Sequence, residues 1–267
     1  MSCPDFLVYT FLYYAQRGNM NLENKTAIVT GAGRGMGRSF ALKLASQGVT
    51  IGLCDIEETS VNETARLIKD ANGKSFAYEV DVKDETQVNA FVAEFINITG
   101  RLDILVNNAA IHPLHMIENI TVEEWDNVLA VNLRSCFLFC RAVIPQMKNQ
   151  AYGRIISISS EAGKNGGTIC APHYAASKGA IISFTRNLAR QVGEFGITVN
   201  SIAPGRIATP MANQVSPEEN QVYIDRSAVK RLGDPSDIAN VIAFLADPAS
   251  GFITGETMNV NGGTLMD

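Results

Sequence analysis

The chain has 267 residues, 46% of them apolar and 18% charged, with a formal net charge of −5. That size and balance suit one large α/β domain with a substantial core. The negative balance gives no support for nucleic-acid binding and argues against a partner on an anionic membrane surface.

Residues 1–20 stand apart from the rest. Phe6 to Ala15 is apolar and aromatic, yet no basic segment precedes it and it is too short to span a bilayer. It reads as an N-terminal extension from an upstream start, with Met20 as the natural first residue; an arm packed on a neighbouring subunit is the alternative. The folded domain is expected over residues 21–267.

Lys25 to Thr30 is a β-branched run that predicts a buried first strand. It runs into a turn containing Gly31, Arg34, Gly35, Met36 and Gly37, followed by helical composition from Ser39. Strand, glycine turn and helix together make a phosphate cradle, because glycines allow close backbone approach and a helix N-terminus offers free N–H groups to a pyrophosphate. Val49 to Asp55 predicts the second strand. It ends in an acid about twenty residues past the glycines, where a ribose hydroxyl is held, with Ile56 beside it. Asp55 would accept hydrogen bonds from the 2′-hydroxyl of NAD and repel the 2′-phosphate of NADP. Arg34 pulls the other way, so NAD is the expected cofactor and NADP the alternative.

Lys74 to Val80 predicts the third strand, with Asp81 and Val82 past its end and helical periodicity through Val88, Phe91, Val92 and Phe95. Leu102 to Asn107 is the fourth, running into Asn108, Ala109 and Ala110. An apolar helix covers Val131 to Cys140. Arg154 to Ser159, Gly196 to Ile202 and Glu256 to Val260 complete the series. The alternation predicts a single α/β domain, a doubly wound parallel sheet of about seven strands with helices on both faces. Gly31, Asp55, Asp81, Asn108, Ser160 and Pro204 all fall at the carboxyl ends of those strands, where such sheets bind ligands. Pro204 and Gly205 open a turn in which the backbone near Ile207 and the Thr209 hydroxyl can meet a nicotinamide carboxamide and the pyrophosphate. The polar, breaker-rich stretch from Met211 to Gly233 reads as part of a substrate lid over about 207–233.

Tyr174 and Lys178 are four residues apart, which stacks them on one helix face. A phenol with its usual pKa of about 10 is a poor acid-base group at neutrality. An ammonium at about 4 Å, at an effective dielectric near 20, would favour the phenolate by roughly 4 kcal/mol and lower that pKa by up to about three units.

Thr30 to Gly37, Asn107 to Ala110, Tyr174 to Lys178 and Pro204-Gly205 stand in the order and spacing of the short-chain dehydrogenase/reductases. The resemblance runs from about Leu22 to the C-terminus. Ala110 stands where the family usually has glycine, and residues 1–20 have no counterpart. The resemblance implies a Rossmann fold and a catalytic set of Asn132, Ser160, Tyr174 and Lys178. Tyr174 would be the acid/base, Lys178 would also hold the nicotinamide ribose, Ser160 would bind the substrate oxygen, and Asn132 would help a water relay protons to the lysine. Ser159 would point to the opposite face of an extended strand. Asp81 and Val82 would meet the adenine, and Asn108, Ala109 and Ala110 would line the cofactor. A homotetramer or homodimer is implied, formed through the apolar helix and the helix after Tyr174.

His112 is a candidate pocket wall and substrate contact. His115 and His173 read as solvated loop residues, and no metal site is expected because further ligands at suitable spacing are missing. Glu161 edges the pocket or is a surface acid, and Arg206 is a candidate partner for an anionic substrate group. Five cysteines without a Cys-x-x-Cys suit buried free thiols and a cytoplasmic location. The expected activity is NAD-dependent interconversion of a secondary alcohol and a ketone, on a small-molecule substrate. The alternatives are a 3-oxoacyl-carrier-protein reductase using NADPH and a non-catalytic nucleotide-binding scaffold, against which the intact catalytic set argues.

Overall fold

The segments expected as strands from the sequence form them. In the computed structural model, which describes residues 22–267, they are β1 (Thr26–Thr30), β2 (Thr50–Asp55), β3 (Ser75–Glu79), β4 (Ile104–Asn107), β5 (Gly153–Ile158), β6 (Ile197–Pro204) and β7 (Thr257–Val260). The readings made for residues 1–20, Cys3 among them, lie outside the described residues. The seven strands pair in parallel in the order β3-β2-β1-β4-β5-β6-β7. This is the doubly wound Rossmann-type sheet. Its winding reverses between β1 and β4, which opens a crevice at their carboxyl ends.

Alternate strand residues feed two cores, one on each face of the sheet. Val29, Leu53, Val106, Ile156 and Ile202 pack with α1 (Gly35–Ala45), α2 (Glu58–Asp70) and α9 (Pro235–Ala246). Ile28, Cys54, Leu105, Ile155 and Val199 pack with α3 (Glu85–Thr99), α5 (Ser135–Asn149) and α7 (Pro172–Val192). Before α5 come α4 (Val122–Leu129) and a π-helical turn over Ala130–Arg134, so the backbone stays helical for 28 residues, Val122–Asn149. By length and hydropathy that run is long enough to cross a bilayer, but Leu138, Phe139, Cys140, Val143 and Met147 are buried against the sheet.

The segment read as a lid is joined at its base. Ala208 N donates to Gly233 O at 2.8 Å, and Gly233 N donates to Arg206 O at 2.9 Å. Between these ends lie a 3₁₀ turn (Pro210–Gln214) and, after the short α6 (Ala162–Asn165) and α7 in chain order, helix α8 (Pro217–Arg226). The Ser216 to Glu219 stretch, read from sequence as breakers, is a capping box with proline in the first helical turn, which starts α8 rather than interrupting it.

Phe95 marks where the second core meets the sheet. It is fully buried, and a Cβ placed on Gly52 would come within 2.9 Å of its ring. Phe95→Ala should therefore lower stability by about 3–5 kcal/mol, read as a shifted urea midpoint at unchanged slope.

Candidate active site

The glycine turn is held open by its neighbours. Gly31 and Gly35 adopt φ of 62° and 56°, the left-handed region that glycine favours. Asn108 donates through Nδ2 to Thr30 O at 2.9 Å and Gly31 O at 3.1 Å, while the Thr30 hydroxyl accepts from Asn108 N and Ala109 N. Asn108 thus braces the turn from within, and a Cβ on Gly37 would collide with Gly31 O. Arg34 occupies the N-cap of α1 but supplies no side-chain cap, and the first turn has no acid. Helices α3, α4, α8 and α9 all cap themselves with Asp, Thr or Ser side chains. The bare N–H groups of α1, facing Thr209 and Pro210 across Gly35, fit the pyrophosphate of a dinucleotide.

Asp55 stands at the end of β2, where Oδ2 accepts from Gly33 N at 2.9 Å and Oδ1 from Glu57 N at 3.2 Å. Ile56 is exposed beside it, and Met36 packs on the first core. Arg34 lies 3.9 Å from Glu57 in an exposed pair, so a second acid shares its charge. Asp81 accepts from Lys83 N at 3.0 Å, with Val82 buried beneath; the cap of α3 is Asp84. Ala110 continues the β4 exit. Pro204 ends β6, Gly205 follows it, Ile207 is buried, and Thr209 reaches the glycine turn.

Ser160, Tyr174 and Lys178 converge beyond β5. The Ser160 side chain lies close enough to Tyr174 to favour its phenolate, and its hydroxyl accepts from Ala162 N at 3.1 Å. Ser159 is turned away, and its hydroxyl donates to Lys178 O at 2.7 Å. Lys178 is 2% exposed and its Nζ donates to Ile158 O at 2.8 Å, 5.7 Å from the centre of the Tyr174 ring. The expectation that this ammonium pulls the phenol down is corrected. Burial dominates at both groups, pushing the Tyr174 phenol up to about 12 against a lowering contribution from Ser160, and the Lys178 ammonium down to about 8. Desolvation outweighs the pair because the carbonyl of β5, not the phenol, holds the ammonium.

Asn132 sits in the π-helical turn, fully buried. Its Oδ1 accepts from Ile111 N at 2.8 Å, and its Nδ2 donates to Ile111 O at 3.0 Å and Ser177 Oγ at 3.2 Å. Its carboxamide is therefore committed to holding the β4–α4 segment against α7. His112, on that segment, leans on Tyr174 with ring centres 4.1 Å apart. Burial, then the charges of Arg206, Lys178 and His173, push its pKa down to about 4, so it is neutral at neutral pH.

The reading of His115 and His173 as solvated loop residues is also corrected for His173. It is fully buried in the first turn of α7 and bonded to Glu124, because a ring at that helix position faces α4 rather than solvent. His115 is exposed but pairs with the same carboxylate. Glu161 is no free surface acid: the Tyr223 hydroxyl of α8 donates to its Oε2 at 2.9 Å, and Thr264 and Asn165 also bond it. Arg206 Nε donates to Asn220 of α8 at 2.5 Å. Glu124 and Tyr223 were not singled out from the sequence; the only signals were a helix-start acid and a lone aromatic in a polar stretch. Among the described residues, no group of three His, Cys, Asp or Glu stands close enough to hold a metal ion.

Residues 31–264 match the family model described as Enoyl-(Acyl carrier protein) reductase. The chain is 38% identical over 247 residues to the 3-oxoacyl-[acyl-carrier-protein] reductase FabG of Vibrio cholerae, covering 92% of this chain and all of that one. It is also similar to a crystal structure of a 3-oxoacyl-[acyl-carrier protein] reductase with bound NAD from Brucella melitensis, at 36% identity, TM-score 0.86 and 95% coverage of both chains. A 7α-hydroxysteroid dehydrogenase complexed with NADH and 7-oxo glycochenodeoxycholic acid superposes at TM-score 0.89 and 34% identity, covering 93% of this chain and 97% of that one.

The buried ammonium sets a pH dependence of stability. From about 8 to 10.5 the unfolded chain binds more protons at Lys178 than the native protein, so stability from this group rises with pH across that window and its cost stands in full below it. Lys178→Met should abolish the rise and make the ligand-free protein more stable at pH 7 by about 1–3 kcal/mol, as measured by urea unfolding at several pH values.

Proposed function

The chain belongs to the short-chain dehydrogenase/reductase family, oxidoreductases acting on a carbonyl or hydroxyl group, and we propose that it reduces the 3-oxo group of an acyl thioester with NADH. The observation that carries the reaction is the convergence of Ser160 and Tyr174 beyond β5 in front of the buried Lys178, whose Nζ lies 5.7 Å from the Tyr174 ring centre. The substrate class is supported by the 3-oxoacyl reductases among the relatives, and the cofactor choice by Asp55 with Glu57 drawing charge from Arg34.

In this reading the nicotinamide dinucleotide supplies the hydride. The chain's own residues do the rest. Ser160 donates to the substrate carbonyl oxygen and fixes its position between two hydroxyls. Tyr174 donates its proton to that oxygen as it becomes an alkoxide, a far stronger base than a phenolate. A phenol held protonated by burial suits this reductive direction. Lys178 then stabilises the phenolate left behind and holds the ribose hydroxyls. Asn132 keeps Ile111, and with it His112, against the tyrosine. The bare amides of α1 hold the pyrophosphate, Asp55 the adenosine ribose, Asp81 and Val82 the adenine, and the 204–209 turn the nicotinamide side. Segment 207–233 acts as the lid, and Arg206 and Tyr223 tie it down.

The second reading is a general secondary-alcohol dehydrogenase, favoured by the close superposition on a hydroxysteroid dehydrogenase. Enzymes of this family are commonly oligomeric, and a homotetramer is the proposed assembly. The cytoplasm is the proposed compartment, in keeping with free thiols at Cys54, Cys136, Cys140 and Cys170.

Initial rates with NADH and NADPH over acetoacetyl-CoA, simple ketones and oxidised polyols should show a preference for NADH and for the thioester. NADPH preference would reverse the role given to Asp55, and preference for a simple ketone would install the second reading. Tyr174→Phe should lower kcat by about 10²–10⁴-fold while NADH still binds; full retained activity would overturn the mechanism.

A further inference from the structure

Helix α4 carries an acid that this reaction leaves unused. Glu124 stands in the first turn, its amide held by the Thr121 hydroxyl at 3.1 Å. Each carboxylate oxygen is taken by a different histidine. Oε1 lies 2.8 Å from Nε2 of His173, and Oε2 lies 2.7 Å from Nδ1 of His115. The His173 hydrogen bond, with help from His115, holds the Glu124 carboxyl below the usual carboxylate range. An ionised carboxylate only accepts, so the bonds set the proton on Nε2 of His173 and on Nδ1 of His115. That leaves Nδ1 of His173 buried without a partner, a cost that is accepted to keep this bridge.

The two histidines belong to different parts of the cleft. His173 precedes Tyr174 on α7, with the Trp125 ring centre 6.3 Å away. His115 lies on the β4–α4 segment, whose His112 leans on Tyr174 and whose Leu114, Met116 and Ile117 are exposed. The start of that segment is bridged as well, since Asn132 bonds Ile111 on one side and Ser177 of α7 on the other. Both bridges end on α7, at positions 173 and 177 that flank Tyr174. A run of chain rich in exposed apolar side chains is thus pinned at both ends to the helix that bears the reacting phenol.

We propose that Glu124 is a positioning residue whose carboxylate clamps segment 111–116 to the catalytic helix and fixes the wall against which the substrate is held. The kinetic side of this rests on the thioester reading given above; the clamp itself does not. Two variants separate the parts. His115→Ala removes the exposed half and leaves the buried His173–Glu124 bond, whereas Glu124→Ala removes both and Glu124→Gln keeps the shape.

The full-length protein is examined by amide hydrogen exchange, by NADH binding through fluorescence, and by reduction of acetoacetyl-CoA. His115→Ala should speed exchange at 111–119 by about tenfold and raise KM for acetoacetyl-CoA about fivefold, with the Kd for NADH unchanged. Glu124→Ala should add a fall in kcat, and Glu124→Gln should restore most of the protection and the KM. Unchanged exchange at 111–119 in both His115→Ala and Glu124→Ala would overturn the clamp. So would a loss of NADH affinity that keeps step with KM, since that marks a general loosening. If the wild-type protein leaves acetoacetyl-CoA untouched, the thioester reading fails, and the exchange data still decide the clamp.

Discussion

A cation buried against a single carbonyl is the constraint around which this edge of the molecule is arranged. Lys178 Nζ reaches Ile158 O at the end of β5, while Ser159 reaches back to the carbonyl of Lys178. These two bonds run in opposite directions and lock the turn of α7 bearing Tyr174 to the exit of the strand bearing Ser160. Gly163 completes the contact, because a Cβ there would lie 2.6 Å from the Lys178 carbonyl carbon. An ammonium so poorly hydrated is costly to keep charged. The lysine is tolerated because the sheet and α7 over-determine its place.

The same logic governs the other end of the cleft. Helices α3, α4, α8 and α9 close their first turns with the side chains of Asp84, Thr121, Ser216 and Asp234, whereas α2 and α7, like α1, do not. Helix α1 forgoes that stabilisation and leaves its amides bare beside a turn braced by Asn108. What sets α1 apart is the braced glycine turn that precedes it rather than the missing cap alone. The two cores on either face of the sheet, with Phe40 and Phe139 fully buried, supply the stability that such departures draw down.

Much of this was legible in the sequence, for physical reasons that differ from place to place. The seven strands are short runs, β-branched in β1 and aromatic in β3, and their boundaries fall within a residue or two of the expected ones. The glycine turn announced itself by its context, strand before and helix after. Ser160 was chosen over Ser159 by resemblance. The alternating-face argument for it does not apply, since β5 ends at Ile158 and both serines lie beyond it. What could not be read were effects of burial and long-range meeting. Spacing placed Lys178 beside Tyr174, but only the packing showed that desolvation outweighs their attraction. Glu124 and His173 are 49 residues apart, and nothing local marks either as the other's partner. The π-helical turn that carries Asn132 inward leaves no signature in an apolar helix.

Gly205 has a second meaning beyond the bend after β6. A Cβ there would lie 2.1 Å from the Tyr223 hydroxyl, which sits in the vacant space and reaches Glu161 and Thr264. Helix α8 is therefore keyed to the sheet edge by an oxygen seated in a socket, not merely leaned against it. In that position Tyr223 ties α8 at once to the turn after β6, to Glu161 beyond β5 and to Thr264 of the C-terminal tail. A side chain added at 205 would take the space that the Tyr223 hydroxyl fills, so the residues at 205 and 223 constrain one another through a single contact.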